Sequence, residues 1–367
     1  MPNDWVYRHQ AKLQPLVPGI LAEFDVNKYI PAVQQSIVIN DQVYALSPSA
    51  EPLMVYYNPK LFEAATERVN KAYEGREEEN KEVIEKAHRL LSEPPKTWTE
   101  FTETVKLLTT KNGGNVETAG VAMGTEKIAH SADILYLLMM QNETSIISDD
   151  MKLATFNLPR QTAVGQEDYS GKRALELYTS FANQSSPNYS WNDALGNEVD
   201  AFANGKVAMI FGYSNIQNYL LQKYPNLPFQ YRKTFVPQVG QDNDSIVDYA
   251  RFTAFGVPNI SRNPVMAWKL LNIIANDHAD VLNAANRTYT SHAAEELKVT
   301  MEERVAGDPE KLSLVKAKSL VKGRFPIEFD NQFRYAIYLV NRGSQDPKSA
   351  LDLASINITK LLTRTEW

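Results

Sequence analysis

Chemistry has few places to start in this chain. Its five histidines, His9, His88, His130, His278 and His292, are scattered. None stands at the i,i+2 or i,i+4 spacing that would turn two imidazoles toward one metal ion. Cysteine is absent, which removes disulfides, thiolate metal sites and thiol nucleophiles together. Gly212-Tyr213-Ser214-Asn215-Ile216 has the first half of a nucleophile elbow and lacks its second glycine. Gly113-Gly114 lies in a polar turn and fits neither phosphate-binding fingerprint. Glu51 would need a second carboxylate across a glycosidic bond to hydrolyse it, and no spacing supplies one. No metal and no cofactor is expected.

Binding chemistry is better represented. Residues 197–214, NEVDAFANGKVAMIFGYS, begin as a helix with Val199, Ala201 and Phe202 on one side. Asn204-Gly205 ends it, because glycine takes the left-handed conformation that stops helices. Residues 206–211 then read as a short buried strand, and Gly212-Tyr213 turns at its carboxyl end. Open α/β sheets hold ligands beyond the carboxyl ends of their strands. Tyr213 is therefore a ring delivered to the place where a small molecule would sit. A tyrosine packed inside a loop is the alternative this segment leaves open.

The surrounding elements predict an α/β fold with mainly parallel sheets. A hairpin is expected around Asn40-Asp41, then two extended runs, the second over residues 53–57 and closed by Asn58-Pro59. Residues 60–92 read as one long charged helical region. Thr97 caps the next helix, with Glu100 completing a capping box. Residues 119–123 form a strand, residues 132–140 a buried helix and residues 172–182 an amphipathic one. Residues 248–257 are extended, Asn263-Pro264 starts a helix, and Gly343 and Asp346-Pro347 separate two final helices. No tether divides the chain, so two lobes would be joined by crossings of extended chain, near residues 49–52, near residues 247–251 and between Glu303 and Lys311.

Bulk properties narrow the class. A chain of 367 residues exceeds the size at which one core stops growing, so two lobes are expected. A net charge of -6 argues against a nucleic-acid partner, which calls for a basic face. The longest apolar run, ILYLLMM over residues 134–140, falls far short of the roughly 20 residues a membrane span requires.

Three segments together resemble the extracellular solute-binding proteins of ABC importers, in the branch that includes maltose-binding protein. YALSPSAEPLMVYYNPKLFEAA over residues 44–65 is similar to that family's strand, hinge and strand before a "YN" turn. PKTWTEF over residues 95–101 is similar to its P-x-T-W-x-E-F helix start, and residues 202–209 carry its F-x-x-G-K-x-A-M pattern. The resemblance implies a two-lobed periplasmic-binding-protein-like (type II) fold with a hinge and an interlobe cleft. Residues 1–49 with 250–306 would form the first lobe, and residues 50–249 with 307–367 the second. It further implies a signal segment and a first strand-helix-strand preceding Pro2-Asn3-Asp4-Trp5, so that the first lobe is N-terminally truncated here.

The implied function is capture of a solute, a sugar or oligosaccharide, for ABC permease transmembrane subunits. The protein would act as a monomer at the periplasmic or extracellular face of the membrane, held by a lipid anchor, with no enzymatic activity. By the resemblance Asp4 and Trp5 fall in the first ligand-facing loop and Glu51 at the first hinge. Tyr213 takes the place of a stacking aromatic, and Tyr249 and Arg251 lie on the returning hinge strand. Arg334 and Tyr335 fall near a further aromatic position, and His130 precedes the buried helix. At its spacing from Phe333, Ala336 and Leu339, Tyr335 is more often a core residue, and Glu51 with Arg251 could equally form an inter-lobe salt bridge. Tyr213-Ser214-Asn215 stands where the family often has tryptophan, which weakens the case for a long oligosaccharide. The competing reading is a two-lobed carbohydrate-active enzyme with Glu51 as its catalytic carboxylate.

Overall fold

The computed structural model describes residues 1–21, 24–161, 165–240, 245–280, 283, 289–290 and 308–364. His292 and residues 303–307 of the third expected crossing lie outside them. Two sheets organise the described chain. Strands β1 (Val38–Ile39) and β2 (Gln42–Val43) form the hairpin, with Asn40 and Asp41 both at positive φ, as a two-residue hairpin turn requires. Strand β3 (Leu46–Pro52) is followed after a single residue by β4 (Met54–Tyr57). Then come β5 (Thr110–Asn112), β6 (Asn115–Val121), β7 (Val207–Gly212), β8 (Arg232–Thr234), β9 (Asp248–Phe255), β10 (Tyr289–Thr290) and β11 (Ala317–Lys318). The larger sheet has the order β8-β4-β7-β6-β5 and the smaller β10-β3-β9-β11.

Only the β7–β6 and β9–β11 pairings are parallel; all others in these two sheets are antiparallel. The expectation of mainly parallel sheets is corrected accordingly. Antiparallel pairs do not need a helical crossover between them. Here β4 enters the large sheet directly from β3, and β9 returns alongside β3.

Each sheet has its own core. Helices α1 (Trp5–His9) and α2 (Pro31–Ile37) pack on the small sheet, where Val6, Val33, Ile37, Ala50 and Phe252 cluster. Around the large sheet stand α3 (Pro59–Ala72), α4 (Lys81–Ser92), α5 (Trp98–Leu108), α6 (Ser131–Gln141), α7 (Ser170–Ser180), α8 (Glu198–Ala203) and α9 (Asn215–Lys223). The expected single helix over residues 60–92 is two, because Gly75 at φ +76 sits in a left-handed turn that no helix continues through. Helix α6 is buried along most of its length, as its apolar run predicts. Helix α10 (Pro264–Asn272) flanks the small sheet and buries Trp268.

Three crossings link the halves. At the first, β3 runs into β4 through Leu53, whose N–H donates to the Tyr249 carbonyl at 2.8 Å. At the second, residues 236–238 hand the chain to β9. The buried Gln141 amide donates to the Pro237 and Val247 carbonyls at 2.9 and 3.0 Å and accepts from Trp98 Nε1 at 2.6 Å, so its own donors and acceptor are satisfied. The third lies after β11. Helix α11 (Pro309–Val315) and β11 contribute Leu314 and Ala317 to the first core. Helices α12 (Pro326–Asn341) and α13 (Pro347–Thr363) then pack on the second core. Residues 319–325 lead the chain from one core to the other.

The Thr97 cap behaves as its spacing predicts. Its hydroxyl accepts from Glu100 N–H, and the Glu100 carboxylate accepts from Thr97 N–H, both at 3.2 Å. Trp98 behind it stacks on Phe211, with centroids 6.1 Å apart. Thr97→Ala should cost about 1 kcal/mol in urea unfolding, and Thr97→Ser should restore most of it.

Candidate functional site

The elbow after β7 explains the local sequence. All six residues of β7 are buried, and Gly212 ends it where a Cβ would lie 2.0 Å from Ile216 Cδ1. A side chain at this position would have to push the end of Ile216 aside. Tyr213 follows, fully buried at 0% exposure. Its carbonyl accepts from the Tyr56 hydroxyl at 3.0 Å, and its own hydroxyl donates to Asp133 Oδ2 at 3.0 Å. The His130 ring meets it edge-on at 4.8 Å. The guanidinium carbon of Arg251 lies 3.9 Å from its centroid. Tyr213 thus stands where the two halves meet and does not offer an open stacking face, because Arg251 covers it.

Arg251 and Glu51 are register partners across β9 and β3, so their pairing follows from the sheet. Arg251 Nε–H donates to Glu51 Oε1 at 2.9 Å. The other Glu51 oxygen accepts from Ser214 N–H and Oγ–H at 3.2 and 2.6 Å. A second Arg251 nitrogen donates to Asn215 Oδ1 at 3.2 Å. Two residues on the crossing strands therefore grip the Tyr213–Asn215 elbow of the second lobe. The salt bridge exists, and it also reaches across the seam.

A second cluster centres on Lys322 in the third crossing, only 6% exposed. Its ammonium donates to Asp330 on α12 at 2.9 Å, approaches Asp4 at 3.5 Å and lies 5.3 Å from the Tyr136 ring. Asp330 also accepts from the Tyr136 hydroxyl at 2.6 Å. Burial works against the Lys322 charge, but the surrounding groups, Asp330, Asp133 and Asp4 among them, outweigh it and hold the proton on. Asp133 joins the two clusters. Burial would push its carboxyl up, yet hydrogen bonding to His130, the Lys322 charge and the Tyr213 hydroxyl hold it at about 2. Burial, reinforced by Asp133, raises the Asp330 carboxyl although Lys322 pulls the other way. The hydroxyls of Tyr136, Tyr213 and Tyr249 are pushed well up by burial and stay protonated.

Asp4, Glu51, His130, Tyr213, Tyr249 and Arg251 thus converge on one seam. Trp5 lies beside Asp4 in sequence, with Arg8 over its ring at 5.2 Å and His9 at 5.4 Å. Arg334 donates to the Ala129 carbonyl at 2.8 Å and anchors α12 to the segment before α6. Tyr335 is not in the core. It is 47% exposed and stacks on Tyr338 at 6.1 Å. Sequence reasoning missed Asp133, Ser214, Lys322 and Asp330. Asp133 did leave a signal, as the one acid inside the apolar helix SADILYLLMMQ. Among the described residues no group of three or more His, Asp or Glu could hold a metal ion, and no helix is long and apolar enough to cross a membrane.

A sequence model of the bacterial extracellular solute-binding protein family matches residues 6–290. No curated protein sequence matches the chain. Similar solved structures include the sugar-binding protein MalE of Xanthomonas citri, with 16% identity, a TM-score of 0.70 and coverage of 99% of this chain and 82% of that one. An ABC transporter solute-binding protein of Thermotoga lettingae, solved with alpha-D-tagatose, has 18% identity, a TM-score of 0.65 and coverage of 98% and 83%. A substrate-binding protein of Listeria monocytogenes, solved with cycloalternan, has 17% identity, a TM-score of 0.68 and coverage of 99% and 84%. At these identities the likeness establishes the fold, two α/β lobes.

The depressed Asp133 carboxyl fixes a pH dependence. Its stabilisation is full above the unfolded value of 3.8 and is lost as pH falls through about 2. Asp133→Asn should lower stability at neutral pH by on the order of 2 kcal/mol. Unfolding midpoints of the variant should also change less than wild type between those two pH values.

Proposed function

The chain belongs to the bacterial extracellular solute-binding protein family, and on that premise we propose that it captures a sugar or oligosaccharide in the seam between its lobes. It delivers this solute to the transmembrane subunits of an ABC importer. It works as a monomer at the outer face of the membrane, where a lipid tether keeps it near the permease. The lobes divide at Ala50–Pro52, at Tyr249–Ala250 and within residues 319–325.

One observation carries this reading. Groups from both lobes and from all three crossings converge on one seam: Asp4 from the first lobe, Tyr213, Ser214, Asp133 and Asp330 from the second, and Glu51, Arg251 and Lys322 from the crossings. Closing two such surfaces over a guest completes a site that neither holds alone. Carboxylates, amides and a guanidinium are the partners that hydroxyl groups require. The named relatives bind or are called binders of sugars, which agrees with that chemistry. A catalytic role for Glu51 is disfavoured by its own contacts. Both its oxygens are engaged, one by Arg251 and one by Ser214, so neither is poised to protonate a leaving group or attack an anomeric carbon.

A panel of mono- and oligosaccharides in a thermal-unfolding assay tests the proposal. A true solute at a hundred times its Kd should add about 2.7 kcal/mol of stability and be recovered chemically unchanged. Its addition should also reduce the radius of gyration in solution scattering if the free lobes open. Turnover of a glycoside, or no stabilisation by any sugar in the panel, would count against it.

A further inference from the structure

A further enclosed ion pair joins the two halves. Lys233 lies on β8, the edge strand of the larger sheet. Glu310 lies on α11, whose Leu314 belongs to the core of the smaller sheet. Their side chains pair directly and are only 23% and 3% exposed. Exposed ion pairs hold little together. An enclosed pair behaves differently, because removing one partner leaves the other charge buried and uncompensated.

The sheet fixes where this pair stands. Lys233 is the cross-strand partner of Tyr56 on β4, and opposed residues project from the same face. The Tyr56 hydroxyl in turn donates to the Tyr213 carbonyl at 3.0 Å. Burial, and then the charges of Glu310 and Glu51, push that hydroxyl up, so the field of both acids reaches it. Glu51 stands on β3 of the smaller sheet and accepts from Ser214 at the elbow. Two carboxylates of one half therefore grip two separate points of the other, Ser214 beyond β7 and Lys233 on β8. A single contact would let the halves turn about it. Two contacts at separate points fix their orientation.

We infer that Lys233 and Glu310 form a latch which, with the Glu51–Ser214 grip, holds the two lobes shut before any solute arrives. The inference rests on the two-lobed reading above and adds a resting state to it. A charged pair suits this role. Parting the lobes returns water to both partners, so opening forfeits the attraction but recovers the hydration that closing removed. Shut and open forms thus stay near enough in free energy for a solute to reach the seam through the minor, open one.

The chain has no cysteine, so spin labels can be placed at will. Lys28, next to Tyr29 of the smaller sheet's core, and Lys106 on α5 are both exposed. The whole chain carrying Lys28→Cys and Lys106→Cys, labelled and measured without solute by double electron–electron resonance, should give one narrow distance distribution. Lys233→Met and, independently, Glu310→Gln should add a longer, broader population, the shut-to-open ratio falling roughly a hundredfold. Lys233→Met together with Glu310→Met leaves neither charge unpaired and should restore the narrow distribution. Thermal unfolding of each variant confirms its fold. Distances unchanged in both single variants overturn the inference. So does a broad distribution in the protein with Lys233 and Glu310 intact, whatever the variants do. No sugar enters this measurement, so its failure leaves the solute reading standing, and sugars that fail to bind leave the latch standing.

Discussion

The cross-strand pair of Glu51 and Arg251 is the contact on which the arrangement of the molecule turns. These residues meet because β3 and β9 pair antiparallel in that register, and the same strands are two of the three chain crossings between the lobes. Each partner then spends its remaining valence on the far lobe, Glu51 on Ser214 and Arg251 on Asn215 and the Tyr213 ring. A hinge strand alone sets only the axis of a movement. The ion pair adds a grip on the elbow that the movement carries, so the position of the second lobe is coupled to a polar contact that a guest can compete for.

The buried charges are poor candidates for a stabilising device. Enclosing an ammonium such as Lys322 costs several kcal/mol of hydration, and pairing with carboxylates recovers that only with complete hydrogen bonding. Here the pairing is incomplete, since Asp4 retains an orphan oxygen and Asp330 is left with a raised affinity for protons. An apolar cluster of the same volume would hold the lobes together better. Polar groups kept at such cost, from segments far apart in the chain, make sense where something arrives to complete their bonding.

Local features of the chain were legible because their causes are local. The Thr97–Glu100 box, the Gly205 stop and the Asp346-Pro347 start of α13 each depend on residues within a turn of one another. The two-lobed class was also readable. Strand direction was not, because alternation of strands and helices does not reveal that β4 continues straight out of β3. Lys322 and Asp133 escaped for a related reason: one neutralises groups over 180 residues away, and no spacing announces such a pairing. Tyr335 shows the limit of counting neighbours. It stands two positions, about 200° of helix rotation, from the buried Phe333, and so it faces outward while Phe333, Ala336 and Ile337 pack inward.

Tyr213 unites these strands of argument. Its place beyond the carboxyl end of a buried strand was evident from the sequence, and the strand does deliver it to the seam. Its openness was not, because the ring is occupied from above by Arg251, from the edge by His130 and at its hydroxyl by Asp133. A guest that stacked on this ring would have to move the guanidinium and therefore disturb Glu51. A guest that instead bonded to the carboxylates could leave the ring covered and still draw the lobes together. That second route leaves the Glu51–Arg251 pair in place. Within the protein itself, the buried Tyr213 is a rigid support whose hydroxyl orients Asp133.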